Sequence, residues 1–244
     1  MTTIDLDINQ IPNVRRIENC SKDEIKYIGL ELTHSVYPHE EIYGPYCTIE
    51  EYINVPPETV YAYLKDVYNL EEWTYSLRGF EPVAKGSRGA PGELMVSFDK
   101  MGENTRIYTR VAACDAAMTV DYHCAWDQPD KLWMIYLMRV VPAKLVLDKP
   151  GSVVLWTNCH HPFYDKNPYP EKSPSGRKVW VGDFWTYFYA GHTVELTNLK
   201  HILEHRYPNG AIAHDGPRDS SDSSDALAAT KNDVVTSVGD GAAQ

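Results

Sequence analysis

Apolar and polar residues first settle into a regular pattern in "CTIEEYINV", where Ile49, Ile53 and Val55 recur on one side of the chain as in a half-buried strand. Pro56 and Pro57 end that strand, because proline has no N–H to give to a ladder. The period then changes. In "ETVYAYLKDV" the positions Val60, Tyr63, Leu64 and Val67 follow the i, i+3, i+4, i+7 spacing of an amphipathic helix. "NLEEWTYSL" predicts a second short helix that reaches Trp73. Beyond it, "GELMVSF", "TRIYTRVAA", "MTVDYHCAW", "KLWMIYLMRVV" and "SVVLWTNCHH" are β-branched and aromatic runs separated by turn-formers such as "MGEN", "DQPD" and "DKPG". Short connectors between successive strands imply an antiparallel meander. The last periodic stretch, "GDFWTYFYAGHTVELTNLKHILEHRY", predicts one long helix, N-capped by Asp183 and stopped by Pro208-Asn209-Gly210. The economical way to bury these faces is an α+β helix-grip fold. In it, a curved antiparallel sheet wraps around the long C-terminal helix, with two short helices after the first strand.

The two ends of the chain break this pattern. Residues 1–45 form an N-terminal extension of mixed character, in which "SKDEIKYIGLEL" predicts a short helix capped by Ser21 with Glu24 three residues on. From about Asn209 onward "DSSDSSDALAATKNDVVTSVGDGAAQ" is small, polar and acidic, with no aromatic residue to repay ordering entropy. The expected division is therefore an extension (1–45), a domain (46–208) and a disordered acidic tail (209–244).

Composition narrows the class. With 244 residues and 43% hydrophobic content, the chain is long enough for a sizeable core. A formal net charge of −11 repels phosphate backbones and argues against nucleic acid as a partner. Cys20, Cys47, Cys114, Cys124 and Cys159 are scattered and never spaced C-x-x-C, so they read as reduced thiols of a cytoplasmic protein. No cationic, apolar leader opens the chain and no apolar run is long enough to span a bilayer, so no membrane partner is expected.

The stretch Ile53-Asn54-Val55-Pro56-Pro57-Glu58, followed by Val60-Tyr61, Leu64, Asp66, Leu70 and Trp73, resembles the START-like, or SRPBCC, superfamily. That superfamily includes polyketide aromatase/cyclases and Bet v 1-type ligand binders. The resemblance covers residues 46 to 207. It implies a deep apolar cavity between sheet and helix, filled by a hydrophobic small molecule. Residues 1–45 and the loop "PFYDKNPYPEKSPSGRK" lie outside the family pattern; the loop, aromatic and proline-rich, is expected to shape the cavity mouth.

Candidate chemistry follows from facing. At about 100° per residue, Trp185, Phe188, Leu196, Leu199 and Leu203 share one helical stripe with His192 at its centre. His192 is thus a candidate acid or base, and Glu195 is either its orienting partner or a partly exposed carboxylate. His201 and His205 complete an H-x-x-E-H pattern on the opposite, solvent side, with no third ligand to follow, and read as a solvated helix end. On the last strand both alternating sets, Val153/Leu155/Thr157 and Val154/Trp156/Asn158, remain open as the interior, and one of His160 and His161 points inward if the strand extends that far. His161 joins His192 and Glu195 as a catalytic candidate. Tyr122, Trp126, Tyr136, Trp156, Phe188 and His160 are candidate substrate contacts. His123 falls outside, with Asp121. A two-histidine, one-carboxylate metal site from His161, His192 and Asp165 or Glu195 is a third arrangement. The expected function is a cofactor-independent cyclase, aromatase, dehydratase or lyase with no bound metal. The alternative is a non-catalytic carrier or sensor of a hydrophobic ligand. A titratable histidine inside the cavity favours the enzyme.

Overall fold

The computed structural model describes residues 7–36 and 45–208. The tail expected at 209–244 lies outside the described residues. Seven strands form a single antiparallel sheet: β1 (Tyr46–Ile53), β2 (Leu77–Pro82), β3 (Leu94–Asp99), β4 (Thr105–Cys114), β5 (Thr119–Trp126), β6 (Met134–Pro142) and β7 (Ser152–Cys159). Their order is β1-β7-β6-β5-β4-β3-β2, so the first strand closes against the last and the rest is a meander. The helices are α1 (Lys22–Val36), α2 (Pro57–Lys65), α3 (Leu70–Trp73), α4 (Ala143–Leu147) and α5 (Phe188–Arg206). This order and topology are those of a helix-grip fold, with α5 packed against β1 and α3.

Local chemistry explains most elements. In β1 the alternation buries Cys47, Ile49 and Ile53. Pro57 starts α2 where its missing N–H is an orphan anyway, and Val60, Tyr63 and Leu64 face the core. Ser21 accepts the Glu24 N–H at 3.1 Å, as the capping pattern predicts. On α5 the residues Phe188, Val194, Leu196, Leu199, Ile202 and Leu203 are buried. Each large aliphatic among them contributes about 1.5–3 kcal/mol of transfer free energy.

Three elements differ from expectation. The segment after Trp73 carries a strand that the sequence pattern does not announce: β2 starts at Leu77 and forms one edge of the sheet. Its register shifts between Arg78 and Glu81, where Gly79 adopts φ +71, and its alternating buried positions are Arg78 and Phe80, so the inward face shows no apolar run in the sequence. An edge strand tolerates such a bulge and the following Pro82. The short helix α4 occupies what reads as a plain connector. The long helix opens later than Asp183, because Val181–Tyr187 forms a 3-10 stretch that leads into α5. Asp183 accepts the Trp180 N–H at 2.8 Å rather than capping α5. The backbone at Gly182 lies directly on the carbonyl of Tyr164, 1.7 Å from where a Cβ would sit, so no other residue fits there.

Residues 15–18 of the N-terminal extension are part of the fold. Asn198, fully buried on α5, accepts the Arg15 N–H at 2.7 Å and donates to the carbonyls of Arg15 and Trp73. Arg78 donates to both oxygens of Glu18, Arg16 donates to the Glu71 carbonyl, and the Ile17 N–H donates to the Tyr75 carbonyl. No helix among the described residues is long and apolar enough to cross a membrane.

Candidate functional site

Between sheet and α5 lies a cavity of about 450 Å³, a volume suited to a small molecule. Inward positions of neighbouring strands make one wall: Thr109 on β4, Tyr122, Cys124 and Trp126 on β5, Met134 and Tyr136 on β6, and Trp156 on β7. Phe188, His192 and Glu195 on α5 make the other. The register question on β7 is thereby answered. Val154, Trp156 and Asn158 point inward, while Leu155 lies on the outer face.

His192 sits where the helical wheel puts it, one turn from each of Phe188 and Leu196. Its ring stacks on Trp156 (centroids 4.1 Å apart, planes 23°) and meets Tyr136 edge-on at 5.7 Å. Its Nδ1 is 3.1 Å from Oε2 of Glu195. The other oxygen of Glu195 accepts the Tyr75 N–H at 2.9 Å, so the carboxylate is held from the α3–β2 connection. Glu195 is therefore an oriented, mostly buried group rather than a partly exposed surface carboxylate. A carboxylate can only accept, so the Nδ1 of His192 carries the proton and Nε2 is left as the basic nitrogen. Among the described residues Nε2 has no protein partner.

A second carboxyl, Asp99, lines the same cavity and escapes sequence reasoning. Its Oδ1 accepts from the Ser76 hydroxyl at 2.6 Å and the N–H groups of Met101 and Gly102 at 2.9 and 3.2 Å. Burial pushes this carboxyl above the usual range against those donors, and the charge of Glu195 adds to the effect. The only clue in the sequence is an aspartate at the end of a strand before a turn, which is commonplace.

The phenols divide. Tyr122 donates to the Leu64 carbonyl at 2.6 Å, so its proton is already used by the fold. Tyr136 faces the cavity, and burial raises its phenol well above the ordinary value, which keeps it a neutral hydrogen-bond donor. Trp126 lines the far end under Trp180 and the Arg177 guanidinium, which lies 4.9 Å above its ring. Arg177 in turn is paired with Asp127 at 2.7 Å, both side chains 5% exposed.

His160 and His161 fall outside the cavity wall. β7 stops at Cys159 and the chain turns, with the Tyr164 N–H donating to the His161 carbonyl, so strand alternation does not reach them. His160 packs between Tyr164 and Trp185 with Nε2 3.4 Å from Asp165. The Nδ1 of His161 accepts the Phe163 N–H at 3.1 Å, and its ring lies against Trp133. Burial, with Lys131 nearby, lowers its pKa below the ordinary imidazole value. Among the described residues no three His, Cys, Asp or Glu side chains gather as a metal site, so the His161, His192 and Asp165 or Glu195 arrangement is not formed. The loop 162–178 also stays off the cavity; the wall there begins at Val179.

The arrangement combines an apolar aromatic slot, an imidazole with an oriented proton, a neutral phenol beside it and an elevated carboxyl. It can shape a ligand and move protons at it.

A comparison with curated proteins gave no significant match. Among solved structures, a START superfamily protein from Mycobacterium smegmatis aligns over 67% of this chain and 99% of its own, at 16% identity and TM-score 0.43. A Thermus thermophilus protein aligns over 66% and 99%, at 17% identity and TM-score 0.45. The di-domain aromatase/cyclase BexL of the BE-7585A biosynthetic pathway aligns over 65% of this chain and 46% of its own, at 17% identity and TM-score 0.46. A family model described as "Domain of unknown function (DUF8713)" matches residues 46–159, from the first residue of β1 to the last of β7, so the match spans the sheet and leaves α5 beyond it.

Proposed function

We propose that this protein binds a hydrophobic small molecule bearing oxygen functions in the cavity and acts on it as a cyclase, aromatase, dehydratase or lyase. The observation that carries the reading is the His192–Glu195 pair, side chains 13% and 14% exposed, set inside an aromatic cavity. Nε2 of His192 takes the proton from the substrate and Glu195 stabilises the imidazolium that forms. Tyr136 donates to a substrate carbonyl as charge grows there. Stacking on Trp156 and Phe188 selects the reactive conformer. No organic cofactor enters this scheme.

The carrier or sensor reading has one observation in its favour. Tyr122, Thr109 and Cys124 are spent on internal hydrogen bonds, so much of the wall is inert. Native mass spectrometry of the protein purified from its own host is the first test. A retained small molecule supports the cavity reading, and its conversion on incubation separates enzyme from carrier. A protein that retains nothing and quenches with no hydrophobic probe would remove both.

A further inference from the structure

The cavity must exchange its contents, and its walls are not equally firm. The sheet is hydrogen-bonded along its full width, and α5 buries Phe188, Leu196, Leu199 and Leu203 against it. α1 also lines the cavity, through Lys22, Asp23, Ile25, Lys26 and Gly29, yet it is held differently. Along Lys22–Leu32 only Gly29 is buried; Ile25, Ile28, Leu30 and Leu32 are half-buried, and Tyr27 is 65% exposed. Its first turn is tied by polar, exposed contacts: Lys22 Nζ to the Met101 carbonyl at 3.3 Å and Glu24 to Arg15 at 3.5 Å.

Directly before α1 the chain is stitched down. Tyr75 donates its hydroxyl to the Cys20 carbonyl, Glu18 takes both arms of Arg78, and Asn198 grips Arg15. A firm anchor at residues 15–20 followed by a shallow helix over a cavity is the layout of a hinged flap. Gly29 adds a second indication. A Cβ there would lie 3.5 Å from the Cβ of Ala190, so α1 meets α5 across two small residues that can part without unlocking large side chains.

We propose that α1 is a lid, hinged at Cys20–Ser21, that opens away from α5 and the Met101 turn to admit and release the ligand. This rests on the reading that the cavity takes a hydrophobic ligand. Over Lys22–Leu32, opening α1 breaks half-buried contacts and the small Gly29–Ala190 contact, whereas an exit through the sheet or α5 breaks ladder bonds or fully buried aliphatic packing.

The same Gly29–Ala190 contact supplies the test. Disulfides bridge Cβ atoms about 3.5–4.5 Å apart, so Gly29→Cys with Ala190→Cys should lock α1 shut. Cys114→Ser and Cys159→Ser remove the exposed thiols that would scramble. Stopped-flow binding of 1-aminoanthracene is measured for the oxidised and reduced forms. Slowing of association and release by tenfold or more on oxidation, reversed by dithiothreitol, is the expected result. Unchanged rates in a fully oxidised protein would overturn the lid while leaving the cavity reading intact. Absence of saturable binding in the wild type would instead remove the cavity reading, and the lid with it. Should the thiols fail to join, Ile28→Asp, at a half-buried α1 position off the cavity wall, provides the opposite perturbation: loosening α1 should speed release several-fold with the overall helix content kept by circular dichroism, and unchanged release would overturn the proposal.

Discussion

Two histidine–carboxylate pairs of nearly equal length sit about thirty residues apart in the chain and in opposite surroundings. His192 and Glu195 are 3.1 Å apart, 13% and 14% exposed, and walled by Trp156, Tyr136 and Phe188. His160 and Asp165 are 3.4 Å apart, but the carboxylate is 71% exposed. In the first pair both oxygens of Glu195 have donors and the ring is clamped by stacking. In the second, water competes for Asp165 at every moment. Distance alone does not make a proton-transfer pair; desolvation and a fixed second hydrogen bond do.

That contrast can be broken at several strengths. His192→Phe should lower turnover by ~10²–10⁴, the scale of general acid–base catalysis. It should also cost about 1–3 kcal/mol of stability, because Oε2 of Glu195 is left unpaired. Denaturant midpoint and rate measured together decide the case: a markedly destabilised variant with normal activity per folded molecule would make His192 a core residue only. Glu195→Gln is subtler. The amide oxygen still accepts the Tyr75 N–H, but its NH₂ now faces Nδ1 and drives the proton to Nε2, so a rate loss of about 10²-fold is expected from the inverted tautomer. Ring ¹⁵N shifts in NMR read that inversion directly. For the exposed pair, a double-mutant cycle of His160→Ala and Asp165→Ala should give a coupling below ~1 kcal/mol and leave ligand affinity unchanged. Smallest of all, joint replacement of His201 and His205 by alanine should move stability by no more than ~0.5 kcal/mol. Stoichiometric zinc lost in that variant would contradict the solvated-end reading.

What is legible in the sequence is what repeats. The 3.6-residue period of α5 places His192 in the cavity without reference to any strand, because the apolar stripe has one face only. The sheet is readable at β1 and again from β3 onward, since alternation and turn residues agree there. Legibility fails where periodicity is interrupted or absent. In β2 the buried positions are Arg78 and Phe80 on either side of Gly79, so burial alternates without an apolar strand signature in the sequence. Past Cys159 the strand period no longer applies, so continuing the inward set Val154, Trp156, Asn158 gives His160 a facing it does not have. Asp99 and the Tyr75–Glu195 bond join residues far apart in sequence through a connection of no regular pattern, and nothing local announces them. Residues 15–20 look like a mixed extension because their partners, Asn198, Arg78 and Tyr75, lie elsewhere in the chain.

The grip of Asn198 on Arg15 also sets a timetable for folding. The two residues are 183 positions apart, and β1 likewise waits for β7, its ladder partner from Tyr46↔Cys159 to Ile53↔Ser152. During synthesis, at about 5–20 residues per second, β1 and the concave apolar face of the meander stay uncovered until α5 has left the ribosome. Contacts of such long sequence separation fold slowly, because loop closure is spent before they reward it. An open strand edge beside an unfilled apolar face is also the species most prone to aggregate. Expression yield should therefore depend on how quickly the last third of the chain follows the sheet, and coexpressed chaperones should raise it more than slower unfolding of the finished protein would.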